Sequence, residues 1–388
     1  MAFVNSKRKF KEDIPELTVR NADDNSVSVT NGPTERAKVL SDFFTSTFTK
    51  EVVTVVSSNC VTSTLEDIAI TVEDVYERLT NLNIGKSPGP DTIHPRMLKE
   101  LANELCKPLE IIFSKSLSEG KLPDDWKKAD ITAIHKKGDK HAPENYRPIS
   151  LTPICSKILE KIIRDKMEVY LISNNLLSGK QFGFMKGKST ILQLLKVLDD
   201  WTEAVDARLP VDVIYTDFQK AFDSVPHSGL LQKLTSVGIK GKLHAWIQSF
   251  LSNRKQRVKI KGCTSEWMEV LSGVPQGSVL GPLLFIIYIN DIVDTLGCHC
   301  YLYADDMKLY KIIQSNDDCI SLQSDMDRVV EWSSDWKIKL NIAKCKVIRL
   351  NGNENMGMPV YSIGENSLAQ ALKKLIQKRI WELQLIAS

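Results

Sequence analysis

Tyr303-Ala304-Asp305-Asp306 joins a short apolar run, Cys300 to Tyr303, to a second one, Met307 to Ile313. Adjacent aspartates suit a tight turn between two strands, because short polar side chains bond the local backbone. They also suit a pair of divalent cations, since neighbouring carboxylates repel unless cations neutralise them. Taken alone the turn is the simpler reading, and what overturns it lies upstream. Val211-Asp212-Val213-Ile214-Tyr215-Thr216-Asp217-Phe218 is a β-branched apolar run, typical of a central strand buried on both faces, and it ends on a carboxylate. Phe222 and Asp223 follow. Between the two acidic sites, Ser272-Gly273-Val274-Pro275-Gln276-Gly277-Ser278 reads as a loop leading into the apolar segment Val279 to Ile289.

Asp217 to Asp223, the Ser272 to Ser278 loop and the Tyr303 to Asp306 turn, in this order and at these spacings, resemble motifs A, B and C of a reverse transcriptase palm. Tyr146-Arg147-Pro148-Ile149-Ser150-Leu151 and Gln181-Phe182-Gly183-Phe184 resemble fingers signatures of the non-LTR (LINE-type, jockey-like) retrotransposon enzymes. The resemblance runs from about Val39 to Gly364. It implies an α+β fold with right-hand polymerase fingers and palm and an antiparallel palm sheet covered by helices; the tail departs from the family's pattern, and the thumb is expected to be largely absent. The expected organisation is a flexible polar leader over 1–32, an N-terminal helical extension over 33–84, and fingers with the start of the palm over 85–210. The palm with motifs A to D then covers 211–364, and an amphipathic helix over 365–388 stands in place of a thumb.

The 388 residues allow two or three subdomains and a sizeable core, and 43% apolar with 26% charged residues is an ordinary globular composition. No apolar run has membrane-spanning length without a charge or turn signal, and Met1 to Lys11 lacks a signal-peptide core, so an intracellular protein without a membrane partner is expected. The eight cysteines are scattered and read as reduced core residues, without zinc spacing or a disulfide framework. Net charge is only +3, but it is uneven. Arg254-Lys255-Gln256-Arg257-Val258-Lys259-Ile260-Lys261 has no acid, and Lys337, Lys339, Lys344, Lys346 and Arg349 repeat the bias. Such runs are solvated faces or tracks for a phosphate backbone.

Pro33 opens a helix with Val39, Leu40, Phe43, Phe44 and Phe48 on one side. A second opens at Thr71, with Asp74 completing a capping box, and stops at Gly85. The Gly85-Lys86-Ser87-Pro88-Gly89-Pro90-Asp91 segment is too rich in Gly and Pro for regular structure and lacks the ending of a nucleotide-binding P-loop. A helix from Arg96 to Glu119, interrupted at Pro108, precedes a strand from Ala129 to His135. Cys155 to Asn175 and Thr190 to Ala207 read as helices, the latter with a core stripe of Leu192, Leu195, Leu198 and Trp201. Two more helices between Val225 and Asn253 break at Gly238.

The resemblance assigns roles residue by residue. Asp217 and Asp305, with Asp306 auxiliary, are the expected ligands of two Mg2+ ions, Mn2+ being an alternative; hard oxygen donors without His or Cys favour such cations over zinc. Charge packed this densely raises at least one of these aspartate pKa values in the cation-free protein. Phe222 matches the aromatic that blocks a ribose 2′-hydroxyl, a role compatible with a core phenylalanine. Gln276 and Gly277 line the nucleotide pocket. Asp223 hydrogen-bonds backbone or caps a helix. Lys136 and Arg147 are the candidates for the incoming β and γ phosphates, against a surface lysine turn and a structural arginine. Lys180, Lys186 and Lys188 are expected to hold template, joined by Arg254, Lys255 and Arg257. Lys344 matches the motif D lysine that protonates departing pyrophosphate.

The implied activity is RNA-directed DNA polymerisation, with RNA template, DNA primer and deoxynucleoside triphosphates as partners, and with endonuclease and thumb functions, if needed, from elsewhere. Two other readings remain: a truncated, inactive relic that binds RNA or template-primer, and a maturase-like or viral RNA polymerase relative. Against the last stand Phe222, the Ser272 to Ser278 loop and the Tyr303 to Asp306 turn.

Overall fold

The computed structural model describes residues 13–20, 27–50, 53, 61–351, 360–364, 370–371 and 373–376. A hairpin of β1 (Thr18–Arg20) and β2 (Val27–Val29) leads into α1 (Gly32–Ser46), followed by α2 (Val72–Thr80), α3 (Pro95–Glu100) and α4 (Ala102–Ser118). Then come β3 (Lys128–His135), β4 (Tyr146–Leu151), α5 (Ile154–Ser173) and α6 (Thr190–Asp206). β5 (Val211–Thr216) precedes α7 (Ala221–Ser224), α8 (His227–Ser236) and α9 (Gly241–Leu251), and three strands follow: β6 (Lys255–Ile260), β7 (Cys263–Thr264) and β8 (Met268–Glu269). The chain continues through α10 (Gly281–Ile289), β9 (His299–Tyr303), β10 (Asp306–Ile312), α11 (Asn316–Asp335) and β11 (Lys346–Leu350), then the short strands β12 (Ser362–Ile363), β13 (Gln370–Ala371) and β14 (Lys373–Ile376). The result is a mixed helix and sheet fold.

β5 is the middle strand of a sheet in the order β14-β11-β5-β10-β9. Val211 and Val213 pack with Val197, Trp201 and Ala204 of α6, whereas Ile214 joins the main core with Phe285, Leu302, Met307 and Val347. Cover on both faces is what its unbroken apolar run requires. β9, β10, β5 and β11 pair antiparallel as expected, but β14 joins β11 in parallel, after a connection long enough for a crossover. The expected helix over 365–388 is therefore corrected where residues are described, since β13 and β14 lie there; the remainder of that stretch is outside the described residues.

Asp212 of β5 is fully buried and must be neutralised there. Arg349 of β11 does this with two parallel bonds, Nε to Oδ1 and Nη2 to Oδ2, each 2.5 Å, while Tyr361 Oη donates to Oδ2 at 2.6 Å. Arg349 thus belongs to the core and not to a phosphate-tracking face.

The second sheet runs β4-β3-β6-β7, with β8 also on β6. Pro148 lies in β4, an edge strand, where its missing N–H breaks no ladder. α1 covers this sheet through Ala37, Leu40 and Phe44 against Ile131, Tyr146, Val258 and Ile260. Leu17 is buried in the same cluster, and its N–H donates to Thr30 Oγ1 at 2.8 Å. This part of the expected flexible leader is anchored because an apolar side chain inserts under α1.

Two boundaries and one buried face differ from expectation. α2 has the capping box at Thr71 and Asp74 but ends at Thr80, five residues before Gly85. The break before the long helix falls at Leu101, and α4 runs through Pro108 because Cys106, Leu109, Phe113 and Leu117 bury on one side of it. On α6 the buried positions are Gln193, Val197, Trp201 and Ala204; Leu192 and Leu195 face solvent. The edge contact of Trp201 with Tyr310 sets that rotation.

Candidate active site

Three segments meet at one end of the β5-centred sheet. The pairing of β10 with β5 ends at Met307 opposite Thr216, so Asp306 and Asp217 are the next residues at the same end of the sheet. Asp305 lies in the two-residue turn between the paired Tyr303 and Asp306, half-buried, with Asp306 exposed. Ala304, the first turn residue, has φ +54°, the sign that a type II′ hairpin turn needs at that position and one that an L-residue adopts at a cost. The third segment runs beside β5: Asn341 N–H donates to the Asp217 carbonyl at 2.7 Å and Gln219 N–H to the Lys339 carbonyl at 2.8 Å. That track delivers the Lys344 ammonium to the Asp217 carboxylate as an ion pair.

Burial, then the charge of Asp217, raises the Asp305 pKa; Asp306 is exposed as a residue, but partial desolvation of its carboxyl, followed by the charges of Asp305 and Asp217, raises its pKa too. The expected mutual repulsion is therefore present. Arg147 and Lys136 act on Asp305 in the opposite direction, which puts both within electrostatic reach of the carboxylates. Lys136 follows β3 and Arg147 lies on β4, and their hairpin is closed by Lys136 N–H donating to the Asn145 carbonyl at 2.8 Å. Burial and then the charges of Arg147 and Lys344 push the Lys136 ammonium down.

The three carboxylates share a neighbourhood without forming a closed cage. Among the described residues no group of three or more His, Cys, Asp and Glu side chains is gathered tightly enough to hold an ion. Asp217 turns toward Lys344, as opposite charge dictates when like charges stand alongside. The donor set is nonetheless all oxygen, and the charge crowding at Asp305 and Asp306 is what a hard divalent cation relieves.

The Ser272 to Ser278 loop is stitched to the segment after β5. Val274 N–H donates to the Phe222 carbonyl and Gly273 N–H to the Val225 carbonyl, both at 2.8 Å, and Ser272 Oγ donates to the Asp223 carbonyl at 2.7 Å. Gly273 has φ +85°, and a Cβ there would lie 2.6 Å from the Phe222 carbonyl oxygen, so glycine is required. Gln276 Nε2 donates to Asp223 Oδ1 at 3.0 Å. Asp223 thus binds a side chain instead of capping a helix, and burial raises its pKa to about 6. Phe222 stacks on Phe285 of α10, ring centres 4.5 Å apart, and meets the edge of Phe184 at 5.9 Å. The loop also reaches the other sheet, because Ser150 N–H of β4 donates to the Gln276 carbonyl at 2.6 Å and a Cβ on Gly277 would lie 2.6 Å from the Ser150 carbonyl.

Several of the residues expected to contact nucleic acid have partners within the fold. Arg254 is buried, donates to the Phe250 carbonyl at 3.0 Å and faces the charge of the fully buried Glu160; burial lowers its pKa to about 10. Arg257 pairs with Asp130 at 2.8 Å and stacks on Trp267, and Lys259 reaches the same Asp130 at 3.6 Å. Lys188 donates to the Gly179 and Gln181 carbonyls at 2.8 and 2.7 Å, closing its own loop, while Lys180 donates to the Val293 carbonyl at 3.4 Å. Lys186 and Lys255 are exposed.

Glu160 and Gln181 carry positioning roles that the sequence reading did not assign. Glu160 accepts from the N–H groups of Val279 and Leu280 at 2.7 and 3.2 Å, tying the start of α10 to α5. An acid on the apolar stripe of α5, between Leu159 and Ile163, was the available signal.

The family model described as reverse transcriptase (RNA-dependent DNA polymerase) matches residues 134–382. The chain is 32% identical over 285 residues to a probable RNA-directed DNA polymerase from transposon BS of Drosophila melanogaster, covering 71% of this chain and 31% of that protein. It is 32% identical over 287 residues to the RNA-directed DNA polymerase from mobile element jockey of the same fly, with 71% and 31% covered. Over 318 residues it is 29% identical to a probable RNA-directed DNA polymerase from transposon X-element, with 79% and 35% covered. The chain therefore spans about a third of the length of these curated relatives.

Proposed function

The chain belongs to the reverse transcriptase (RNA-dependent DNA polymerase) family, and from that premise we propose that it extends a primer 3′-hydroxyl with deoxynucleotides on an RNA template, as part of a non-LTR retrotransposon polymerase. The β5-centred sheet with its helices serves as palm, and the β3–β4 hairpin with its sheet serves as fingers. The observation that carries the reading is the meeting of Asp217, Asp305 and Asp306 at one sheet end, overlooked by Arg147 and Lys136.

Asp217, Asp305 and Asp306 would hold two divalent cations, for which Mg2+ suits an all-oxygen donor set. Bound there, such a pair lowers the pKa of an attacking hydroxyl and offsets charge on the attacking and leaving oxygens. The chain's own residues do the rest. Arg147 and Lys136 bind the β and γ phosphates, Arg147 through its planar fork. Phe222, backed by Phe285, presents a ring edge that excludes a 2′-hydroxyl. Gln276, oriented by Asp223, lines the base and sugar seat with Gly277. Lys344 holds a proton at Nζ for the departing pyrophosphate.

The test is deoxynucleotide incorporation on poly-rA/oligo-dT with Mg2+, wild type beside Asp305→Asn. Incorporation by the wild type and its loss in the variant is the expected result. Equal incorporation by both overturns the site, and template-primer binding without incorporation by the wild type leaves the inactive-relic reading in its place.

A further inference from the structure

The turn that carries Asp305 and Asp306 is held from outside its own hairpin. Gln181, 1% exposed, comes from the loop between α5 and α6, more than a hundred residues earlier in the chain. Its Oε1 accepts from the Ala304 N–H at 3.0 Å and from the Gly183 N–H at 2.7 Å, and its Nε2 donates to the Ala304 carbonyl at 3.4 Å. One side-chain amide therefore satisfies both peptide groups of the residue with φ +54°. The backbone on either side reinforces it: Phe182 N–H donates to the Leu302 carbonyl at 2.8 Å and Leu302 N–H to the Lys180 carbonyl at 3.0 Å. The approach is so close that a Cβ on Gly183 would lie 2.2 Å from the Ala304 nitrogen. A left-handed alanine persists only where its surroundings over-determine it, and here the determinant is a buried amide with both ends used.

We propose that Gln181 is a positioning residue for the cation-binding end of the sheet: by clamping Ala304 it fixes where the carboxylates of Asp305 and Asp306 stand. The inference rests on the polymerase reading for its catalytic consequence, but the clamp itself does not. Gln181 is buried and its amide bonds go to the backbone of Ala304 and Gly183, so it acts through the turn. Gly183 serves the same end by leaving room for the turn.

The experiment uses the full chain and the variants Gln181→Met, Gln181→Glu and Gly183→Ala, each checked for a wild-type melting profile. Amide hydrogen exchange at Ala304 reads the clamp directly. Gln181→Met should lose about tenfold or more of the protection there, whereas Gln181→Glu, which keeps an acceptor oxygen for the Ala304 N–H but loses the donor to the Ala304 carbonyl, should retain part of it. Mn2+ binding followed by electron paramagnetic resonance reads the consequence. In Gln181→Met and Gly183→Ala the Mn2+ dissociation constant should rise about tenfold, with template-primer affinity in EDTA changed less than about twofold. Incorporation assays should show the same shift in half-saturating Mg2+. Unchanged exchange at Ala304 in Gln181→Met, or lost activity with an unchanged Mn2+ dissociation constant, overturns the proposal. A wild type that binds Mn2+ and protects Ala304 yet incorporates nothing refutes the polymerase reading and leaves the clamp standing.

Discussion

The acidic end of the β5-centred sheet and the basic strand β6 differ less in how much charge they carry than in what that charge is committed to. On β6 and at its two ends, Arg254 faces Glu160, Arg257 and Lys259 share Asp130, and Lys261 pairs with Asp13. Those cations are held by the fold, so little is left over for a polyanion. At the sheet end, Asp305 and Asp306 crowd each other under Arg147 and Lys136, with Lys344 paired to Asp217. Charge that the fold leaves unbalanced marks where a ligand acts; charge that it balances marks where elements are joined.

The contrast can be broken most sharply at its committed extreme. Arg349→Met strands the buried Asp212 carboxylate, and urea unfolding should show a loss of about 3–5 kcal/mol. A loss below about 1 kcal/mol would mean that burial there is not what pairs the charges. At the uncommitted extreme, Asp305→Asn should cut incorporation roughly 10²–10³-fold without lowering unfolding stability at neutral pH. The folded-state pKa of Asp305 is raised, so its ionised form costs stability above the usual carboxylate range, and the neutral amide removes that cost. A variant that lost stability in step with activity would place Asp305 on the committed side.

Smaller effects separate the two sets of cations. Arg147→Gln should raise the KM for deoxynucleotide roughly tenfold, whereas the pair Arg257→Gln and Lys259→Gln should leave KM alone and shift the salt dependence of template-primer binding by well under one unit. If the second pair lowers that slope by about two, β6 does track phosphates after all. Asp223 is the intermediate case, with one hydrogen bond from Gln276 and a pKa raised to about 6 by burial. The folded chain holds that proton more tightly than the unfolded one, so wild-type stability falls as pH rises from the carboxylate range to about 6 and is flat above. Relative to Asp223→Asn, the wild type should lose about 1 kcal/mol across that window, after allowance for partial exposure, as thermal melts at several pH values would report.

The same distinction explains what the sequence made legible. Period and composition were enough for β5, because a strand covered on both faces has an apolar letter at nearly every position, and for the β9–β10 hairpin, because the turn residues are polar between apolar runs. They also gave the capping box at Thr71 and Asp74, a purely local device. What stayed hidden depends on partners far away in the chain. Nothing near Arg254 announces Glu160, and nothing near Arg349 announces Asp212, so a run of basic letters read as surface. The exposed Leu192 and Leu195 of α6 show the same limit, since helical period fixes a stripe only until one large side chain, here Trp201, rotates it. Gln181 belongs to the Gln181 to Phe184 signature, yet its bonds to a turn 123 residues later leave no local trace.

The bond from Ser150 to Gln276, with the Gly277 backbone pressed against the Ser150 carbonyl, has a mechanical corollary. A hairpin latched to the floor beneath it cannot swing down as a free flap over an arriving nucleotide. The strand and the floor are joined at that point, so on the polymerase reading the flexing that admits or releases a nucleotide is expected toward the outer tip, around 136–145, which bonds to the N-terminal segment through the His141 carbonyl and ring.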